Sequence, residues 1–383
     1  MSKNEALRPR VCIVHTGRAV PEMLLGSGVK RAGGSELQLA DIARKLVARQ
    51  WDVSFAFYDY GDNEHQGVVD GIELVTSPPP NGGLPGLRFL TQTLPATRRL
   101  LRTTSADVYL QMGTSWQNAL VARWCRNPQR RFVLWMASIT DPVCDDPRQS
   151  RLPARERWLA RYGLRNADVL VAQTKDQQRL LAERHGRDSV LIRNIFAPAE
   201  DIGAPPADPP TVFWAATIRA LKRPHLFLDV AMALPKLHFV MAGGPADADD
   251  EDHSLYDEVR ARAEEMPNVT FLGFVPYREI DDWYRKASVY LCTSTIEGFS
   301  NSVLQAWSHG RPVVSTFDPD GLIQELDLGV YATDAAGLTE AVRRAAATST
   351  DYIPRTREYL AQNHSPQVVL PQIEAVLTGD LPI

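Results

Sequence analysis

The chain has 383 residues, 44% of them hydrophobic and 8% aromatic, so it can bury large cores and is long enough for two or three domains. Its formal net charge of −4 argues against a surface that attracts nucleic acid as a whole. Four cysteines lie far apart, without the paired spacing of a metal site or the density of a disulfide framework, which indicates a reducing compartment.

Membrane insertion is not expected from the hydropathy pattern. No run approaches the ~18 consecutive apolar residues that a spanning helix needs. The opening MSKNEALRPR is not followed by the apolar run of a signal peptide. We therefore expect a soluble, cytoplasmic protein.

The first half of the chain alternates between strand-like and helical patterns. RVCIVHTG (10–17) predicts a buried strand, and SELQLADIARKLVARQ (35–50) predicts an amphipathic helix. Ser35 and Gln38 have the spacing of a capping box at the start of that helix. Four further runs predict strands: DVSFAFYD, ADVYLQM, RFVLWMA and ADVLVAQT. Strands that alternate with helices predict a parallel sheet covered on both faces.

A linker and a second alternating half follow. AEDIGAPPADPPT (199–211) is the best linker candidate, because it is rich in Pro, Ala and Asp and has no apolar period. After it come the strand-like runs TVFWAATI, LHFVMAGG, VTFLGFV, SVYLCTS and RPVVSTF, separated by helical patterns at 225–234, 254–266, 277–287 and 302–309. The prediction is an α/β protein with two doubly wound halves, whose ligands bind at the carboxyl ends of the strands.

The stretch EGFSNSVLQAWSHGRPVVS (297–315) places polar side chains between two apolar runs. A helix is predicted to begin near Asn301, where the first amides lack internal partners and the helix dipole favours an anion. Ser300 and Ser302 are small enough to let a phosphate approach those amides.

Two longer polar side chains flank this helix start. Glu297 precedes it, and Gln305 lies about four residues inside the helix, roughly 6 Å along its axis. A ligand with phosphates over the helix start and hydroxyls on either side, such as a nucleotide sugar, would suit this layout. Ordinary helix capping with a buried apolar face is the alternative explanation of the same residues.

Cations and glycines give two further signals. WAATIRALKRP carries Arg219, Lys222 and Arg223 after a predicted strand, where positive charge could stabilise a departing diphosphate. Solvated loop cations explain them as well. Gly33 and Gly34 precede the first helix and would let backbone amides approach a substrate closely.

Together these motifs resemble glycosyltransferase family 4 (glycosyl transferases group 1), retaining enzymes with the GT-B fold. The resemblance is strongest over about residues 211 to 333, where WAATIRALKRP, FVMAGGP and EGFSNSVLQAWSHGRPVVST follow the family's order and spacing. It implies two Rossmann-like doubly wound domains facing across a cleft. The implied parts are an acceptor domain (1–198), a nucleotide-sugar donor domain (199–364) and a final helix (365–383) that returns to the first domain.

The resemblance also implies roles for single residues. Glu297 matches the first glutamate of the family's paired-glutamate motif, which contacts hydroxyls of the donor sugar. Lys222 matches the lysine that binds the diphosphate, and Arg219 is expected to assist it. The remaining donor-binding residues are those of the helix start (Ser300, Asn301 and Ser302), the glycine loop (Gly33 and Gly34), the nucleobase segment (Phe274 and Val275) and the ribose position (Gln305).

Three positions depart from the family pattern. Gln305 replaces the second glutamate, so its bond to a ribose hydroxyl would lack charge. Thr217 stands where the family usually has an arginine, and Arg219 lies two residues later. Met112 stands where many members place a histidine on the acceptor side.

The implied reaction moves a hexose-type sugar from a nucleoside diphosphate sugar to a hydroxyl of a glycan, a lipid-linked glycan or a small molecule, without a metal or another cofactor. The departures leave open a catalytically weak partner or regulatory subunit that binds a nucleotide sugar. A dinucleotide oxidoreductase is disfavoured, because GSGVKRAGGSE lies too far past its strand for that fingerprint.

Peripheral contact with the inner face of a membrane is a further alternative. The segments at 86–102 and 148–165 are basic and contain Leu, Trp and Tyr, a composition suited to anionic lipids. A solvated basic helix face explains each segment equally well.

Overall fold

The computed structural model of the protein describes residues 8–15, 33–58, 67–78, 89–150, 152–203, 208–245 and 253–380. The chain forms two compact units. Unit 1 comprises Met1–Ile195 and Val369–Ile383, and unit 2 comprises Phe196–Val368.

Unit 1 contains an eight-stranded sheet with the strand order β3-β4-β2-β1-β5-β6-β7-β8. Its strands are β1 (Val11–Val14), β2 (Val53–Tyr58), β3 (Gly67–Val69), β4 (Ile72–Ser77), β5 (Val108–Met112), β6 (Arg131–Trp135), β7 (Val169–Ala172) and β8 (Val190–Leu191). All neighbouring pairs are parallel except β3 and β4, which are antiparallel at the sheet edge. Among its described residues are the α-helices α1 (Gly34–Ala48), α2 (Leu94–Thr103), α3 (Gln117–Trp124), α4 (Ala154–Asn166) and α5 (Lys175–His185).

The strands at the centre of the unit 1 sheet are buried and largely apolar, because both faces of the sheet are covered there. All six residues of β2 are buried. One face packs against apolar side chains of α1, including Leu39, Ile42 and Leu46. The other packs against α2, α3 and α4 through side chains that include Leu100, Val121 and Leu164.

Unit 2 contains a six-stranded parallel sheet with the strand order β11-β10-β9-β12-β13-β14. Its strands are β9 (Thr211–Ala215), β10 (His238–Ala242), β11 (Val269–Gly273), β12 (Val289–Cys292), β13 (Val313–Ser315) and β14 (Gly329–Tyr331). Its helices are α6 (Pro224–Ala233), α7 (Ser254–Glu264), α8 (Tyr277–Lys286), α9 (Asn301–Ser308), α10 (Leu322–Glu325), α11 (Ala335–Ala347) and α12 (Ile353–Asn363).

The last helix, α13 (Pro366–Thr378), contributes to the core of unit 1. Five of its apolar side chains are buried there: Val369, Leu370, Ile373, Val376 and Leu377. Glu374 of the same helix accepts hydrogen bonds from Arg49 Nη1 (2.6 Å) and Trp51 Nε1 (2.9 Å). Both apolar and polar contacts therefore hold α13 against unit 1.

Every strand predicted from an apolar run is present, because such runs carry the burial signal locally. The hairpin β3–β4 and the short strands β8 and β14 lack that signal and were not predicted. The predicted capping box is wrong. Ser35 lies inside α1, which is preceded by Gly33 as its N-cap, and the side chain of Gln38 instead bonds the backbone of Ile195 (Nε2 to O, 3.2 Å; N to Oε1, 3.0 Å).

Candidate functional site

In unit 2, the sequence-predicted residues gather at one edge of the sheet, where its parallel strands end (the carboxyl edge). Phe274 and Val275 directly follow β11, the loop with Arg219 and Lys222 follows β9, and Glu297 follows β12. Because β11, β10, β9 and β12 are consecutive neighbours, these segments lie side by side along the edge. Phe274 is 44% exposed, and Val275 packs against an apolar cluster of the unit.

Lys222 and Glu297 form an ion pair through Nζ and Oε1. The two side chains are 22% and 13% exposed, so each charge is largely removed from water. Neutralisation by a close partner is what allows two such charges to be held there. The lysine expected at a diphosphate and the glutamate expected at a sugar are therefore adjacent.

The loop that carries Lys222 is fastened to the end of β12 by Thr293, which is fully buried. Thr293 Oγ1 donates to the Lys222 carbonyl (2.6 Å) and accepts from Trp214 Nε1 (2.9 Å). Arg223 Nε donates to the Thr293 carbonyl (2.7 Å) from a left-handed backbone conformation with φ of 46°. Arg223 thus holds the loop, and its guanidinium is engaged with the protein itself.

Arg219 lies at the start of the one-turn helix Ala220–Lys222. The side chain is half-buried, and its Nε is buried without a hydrogen-bond partner among the described residues. A buried donor without a partner is costly, so a bound anion would relieve it. Arg219 is therefore better suited than Arg223 to assist Lys222.

The start of α9 is arranged as the sequence predicts. Ser300 is the N-cap residue, and its hydroxyl bonds the hydroxyl of Ser302 (2.8 Å) instead of capping a helix amide. Phe299 packs edge-on against Trp307, with 6.2 Å between ring centroids, which fixes the entry of the chain into the helix. The positive end of α9 therefore lies beside the residues that follow β12.

Gln305 belongs to a hydrogen-bonded group with Asp281 and His309. Its Nε2 donates to Asp281 Oδ1 in α8 (3.1 Å), and His309 Nε2 lies 2.9 Å from the same oxygen. Gln305 and His309 are buried, whereas the Asp281 side chain is 54% exposed. The hydrogen bond from His309 is the largest influence on Asp281 and lowers the pKa of its carboxyl, so Asp281 is ionised at neutral pH.

Cys292, at the end of β12, is the described thiol closest in sequence to Glu297. Burial is the main reason why its pKa is raised, and the charge of Glu297 adds to that effect. A thiol with a raised pKa is neutral at physiological pH and is a weak nucleophile. Cys292 is therefore explained as part of the core.

In unit 1, Gly33 and Gly34 lie at the start of α1, where Glu36 folds back over Gly33. A side chain at Gly33 would collide with the Glu36 carboxylate. That carboxylate accepts from Ser35 Oγ (2.8 Å) and faces His15 Nε2 at 3.4 Å. Sequence reasoning missed this pair, although a histidine directly after a buried strand and an acidic residue in the first turn of the next helix could have signalled it.

Met112 ends β5 and is buried in the core. The register of β1 and β5 places Ile13 opposite Leu110, so the next positions bring His15 level with Met112. Asp141 orders the loops after β5 and β6, because it accepts from Thr114 Oγ1 (2.7 Å) and from the Ser138 amide (2.8 Å). Polar groups therefore line the carboxyl edge of unit 1 as well.

Comparison with known families decides the classification. The sequence model of Glycosyl transferases group 1 matches residues 209–348, and that of the Glycosyl transferase 4-like domain matches residues 33–195. The chain belongs to the group 1 glycosyltransferases. The first match contains Lys222, Glu297 and Gln305, and the second contains Gly33 and Met112.

This glycosyltransferase is 28% identical over 213 residues to D-inositol 3-phosphate glycosyltransferase 2 from Catenulispora acidiphila, which covers 47% of the chain and 50% of that relative. The chain spans about half or less of the length of the curated relatives it matches.

Solved structures show the same fold. Sucrose-phosphate synthase from Thermosynechococcus elongatus has a TM-score of 0.77 at 19% identity, with 96% of this glycosyltransferase and 98% of that chain covered. HepE from Anabaena, solved with UDP and glucose, has a TM-score of 0.71 at 17% identity, with 96% and 99% covered. The two parallel-sheet units are those of the GT-B fold.

Within the described part of this glycosyltransferase, no helix is both long and apolar enough to cross a bilayer. The same residues contain no group of three His, Cys, Asp or Glu side chains that could hold a metal ion.

Helix α4 presents an exposed stripe of Arg155, Trp158, Arg161 and Arg165. Trp158 is 66% exposed, Arg155 lies 4.4 Å from the ring centroid of Phe89, and Arg161 is 3.5 Å from Asp145. These residues belong to the basic segments singled out in the sequence, of which 86–88 and 151 lie outside the described residues.

Proposed function

We propose that this protein transfers a hexose-type sugar from a nucleoside diphosphate sugar to an acceptor hydroxyl, with retention of the anomeric configuration. The observation that carries the proposal is the Lys222–Glu297 pair at the carboxyl edge of unit 2, beside the start of α9. A cation and an anion held together there provide one partner for a diphosphate and one for sugar hydroxyls.

The departing diphosphate gains negative charge as the bond to the sugar breaks. Lys222, Arg219 and the positive end of α9 at Ser300, Asn301 and Ser302 would stabilise that charge without a metal ion. Donor binding must draw Lys222 partly away from Glu297, which frees the carboxylate to accept hydrogen bonds from the sugar. Phe274 and Val275 would hold the nucleobase. In unit 1, Gly33 and Gly34 would let an acceptor approach the backbone closely.

Retention is proposed because the family resemblance implies attack on the same face, with a donor phosphate oxygen helping to deprotonate the acceptor. Neither Glu297 nor Cys292 is an activated nucleophile that would form a covalent intermediate with the sugar. Glu297 is paired with a cation, and the Cys292 thiol is neutral. The two proposed binding surfaces would then supply much of the rate by positioning both substrates.

The donor and acceptor classes follow from the relatives as proposals. HepE is solved with UDP and glucose, which makes UDP-glucose the first donor to test. The curated relative is named for D-inositol 3-phosphate, which makes a phosphorylated polyol the first small-molecule acceptor to test. A glycan or a lipid-linked glycan is the alternative acceptor class.

The decisive experiment screens nucleoside diphosphate sugars for thermal stabilisation of the protein, since only a ligand of the native state raises the melting temperature. The donor that stabilises is then assayed for transfer and for hydrolysis, with NMR reporting the anomeric configuration of the product. Stabilisation by no donor would refute the proposal, and an inverted product would refute retention. Stabilisation without turnover would favour a nucleotide-sugar-binding partner subunit instead.

A peripheral membrane role is proposed for the α4 stripe. Arg155, Arg161 and Arg165 would attract anionic headgroups, and Trp158 would insert at the interface. Co-sedimentation with phosphatidylglycerol vesicles at low salt should be strong for the wild type and weak for Trp158→Ala with Arg165→Glu. Equal binding to neutral phosphatidylcholine vesicles, or no binding at all, would contradict this role.

A further inference from the structure

Gln305 and Asp281 form a coupled pair between α9 and α8. We infer that Asp281 is a positioning residue: it holds the amide of Gln305 so that the carbonyl oxygen Oε1 is presented to a ribose hydroxyl of the bound nucleotide. The inference rests on the proposed function, because it concerns how the donor is recognised.

The hydrogen-bond pattern fixes the amide orientation. Gln305 Nε2 donates to Asp281 Oδ1 at 3.1 Å, and an ionised carboxylate can only accept, so the NH₂ group must face Asp281. The carbonyl oxygen on the other side of the amide has no hydrogen-bond partner among the described residues. An acceptor group is therefore left for a ligand.

Asp281 is itself held in place. His309 Nε2 lies 2.9 Å from Oδ1, and the buried His309 is the C-cap residue of α9, one helical turn beyond Gln305. Two donors, one from α9 and one from its C-cap, thus converge on one carboxylate oxygen of α8. Asp281 lies in α8, the helix that follows the segment with Phe274 and Val275, and Gln305 lies one turn inside α9. The pair therefore links the helices that follow the two places proposed for the nucleobase and the diphosphate. Ribose connects these two groups in a nucleotide.

The same pair explains why position 305 carries an amide. A glutamate at this position would place a second carboxylate within hydrogen-bond distance of Asp281, and like charges at that distance repel. Glutamine keeps an acceptor oxygen and adds a donor for Asp281. The carboxylate of Asp281 on the neighbouring helix thus explains why the second glutamate of the family motif is replaced by glutamine here.

The test measures the affinity of the protein for UDP, GDP and ADP, and then for the 2′-deoxy and 3′-deoxy forms of the nucleotide that binds. The wild type should bind the ribonucleotide about fivefold more tightly than at least one deoxy form, the size expected for one net hydrogen bond. Asp281→Ala and Gln305→Ala should each bring this ratio close to one. Asp282→Asn is the matched control, because Asp282 is the adjacent acid on α8 but pairs with Arg285.

Moving the negative charge from position 281 to position 305 gives a second test, which predicts the direction of the change in affinity. Gln305→Glu alone should bind the ribonucleotide more weakly than the wild type. The double variant Gln305→Glu with Asp281→Asn should recover that loss and raise the ribose-to-deoxyribose ratio above the wild-type value, because a charged acceptor makes the stronger bond. A purely structural role of Asp281 would lower the melting temperature and leave the ratio unchanged.

The outcomes separate the two claims. If the wild type binds none of the nucleoside diphosphates, the proposed function fails. If the wild type binds one of them and Asp281→Ala has the same ribose-to-deoxyribose ratio, only the positioning role is overturned. The same conclusion follows if Gln305→Glu strengthens binding both with Asp281 and with Asn at position 281.

Discussion

Lys222 and Glu297, 75 residues apart in the chain, meet as an ion pair that joins the loop after β9 to the segment after β12. The contact links the cation proposed for the diphosphate with the anion proposed for the sugar. Removal of either partner would leave the other charge largely buried and unpaired, so the pair has consequences for both binding and stability.

Lys222→Ala should lower transfer by about 100- to 1,000-fold, the usual loss when one donor to a developing negative charge is removed. The reason is that Lys222 would neutralise the departing diphosphate. Initial rates with the stabilising donor measure the effect, and circular dichroism checks the fold. Lys236→Ala is the control, since this exposed lysine lies beyond the other end of α6. Full activity of the Lys222 variant would show that the site has been assigned incorrectly.

Thr293→Val should destabilise unit 2 by about 1–3 kcal/mol, the cost of leaving buried polar groups without partners. The substitution keeps the shape of the side chain but removes the partner of Trp214 Nε1 and of the Lys222 carbonyl. Urea unfolding followed by tryptophan fluorescence measures the change. Thr293→Ser retains the hydroxyl and should recover most of the stability. A valine variant as stable as the wild type would mean that Thr293 does not fasten the loop.

Glu36 should make unit 1 sensitive to acid. Burial alone would raise the pKa of its carboxyl, but the neighbouring His15, 3.4 Å away, and the hydrogen bond from the Ser35 hydroxyl lower it from 4.5 to about 2. A depressed pKa in the folded state stabilises the protein above the unfolded value, and this contribution is lost as pH falls from about 4.5 to about 2. The shift corresponds to roughly 3 kcal/mol.

Glu36→Gln should therefore be less stable at pH 6, and its melting temperature should fall less steeply between pH 4.5 and pH 2. Melting curves across this range measure the difference. Glu183→Gln serves as a control, because Glu183 is 55% exposed and pairs with Arg179 on the surface. Parallel curves for the Glu36 variant and the wild type would contradict the prediction.

Gly163→Ala should destabilise unit 1 by about 1–3 kcal/mol through overpacking, although alanine is the better helix former. A Cβ atom on Gly163 would lie 2.6 Å from the backbone carbon of Asn118, so α4 could not approach α3 as closely. Thermal unfolding measures the effect. Asn166→Ala changes the end of α4 without altering this contact and should be nearly neutral. A more stable alanine variant would show that the two helices can separate without cost.

Local sequence patterns were sufficient for most of the fold. A strand such as β2 is buried along its whole length, so six consecutive apolar or small residues carry the signal by themselves. The start of α9 was also predicted from a local pattern, because small polar residues precede an apolar-faced helix, although the Ser300 hydroxyl bonds Ser302 and does not cap a helix amide. The β3–β4 hairpin was missed because β3 is short and exposed at the sheet edge, and because β4, although mostly buried, lacks a continuous apolar run.

The sequence by itself determined the α/β class and the residue types available for phosphate and sugar binding, because secondary structure and motif spacing are properties of neighbouring residues. Only the tertiary structure decided which side chains meet. Glu36 reaches His15 across 21 positions and Asp281 reaches Gln305 across 24, as their numbering shows, and both pairs form because separate elements pack against a common sheet. Spacing along the chain holds no information on such contacts, since the sheet order that creates them is set by the folded core as a whole.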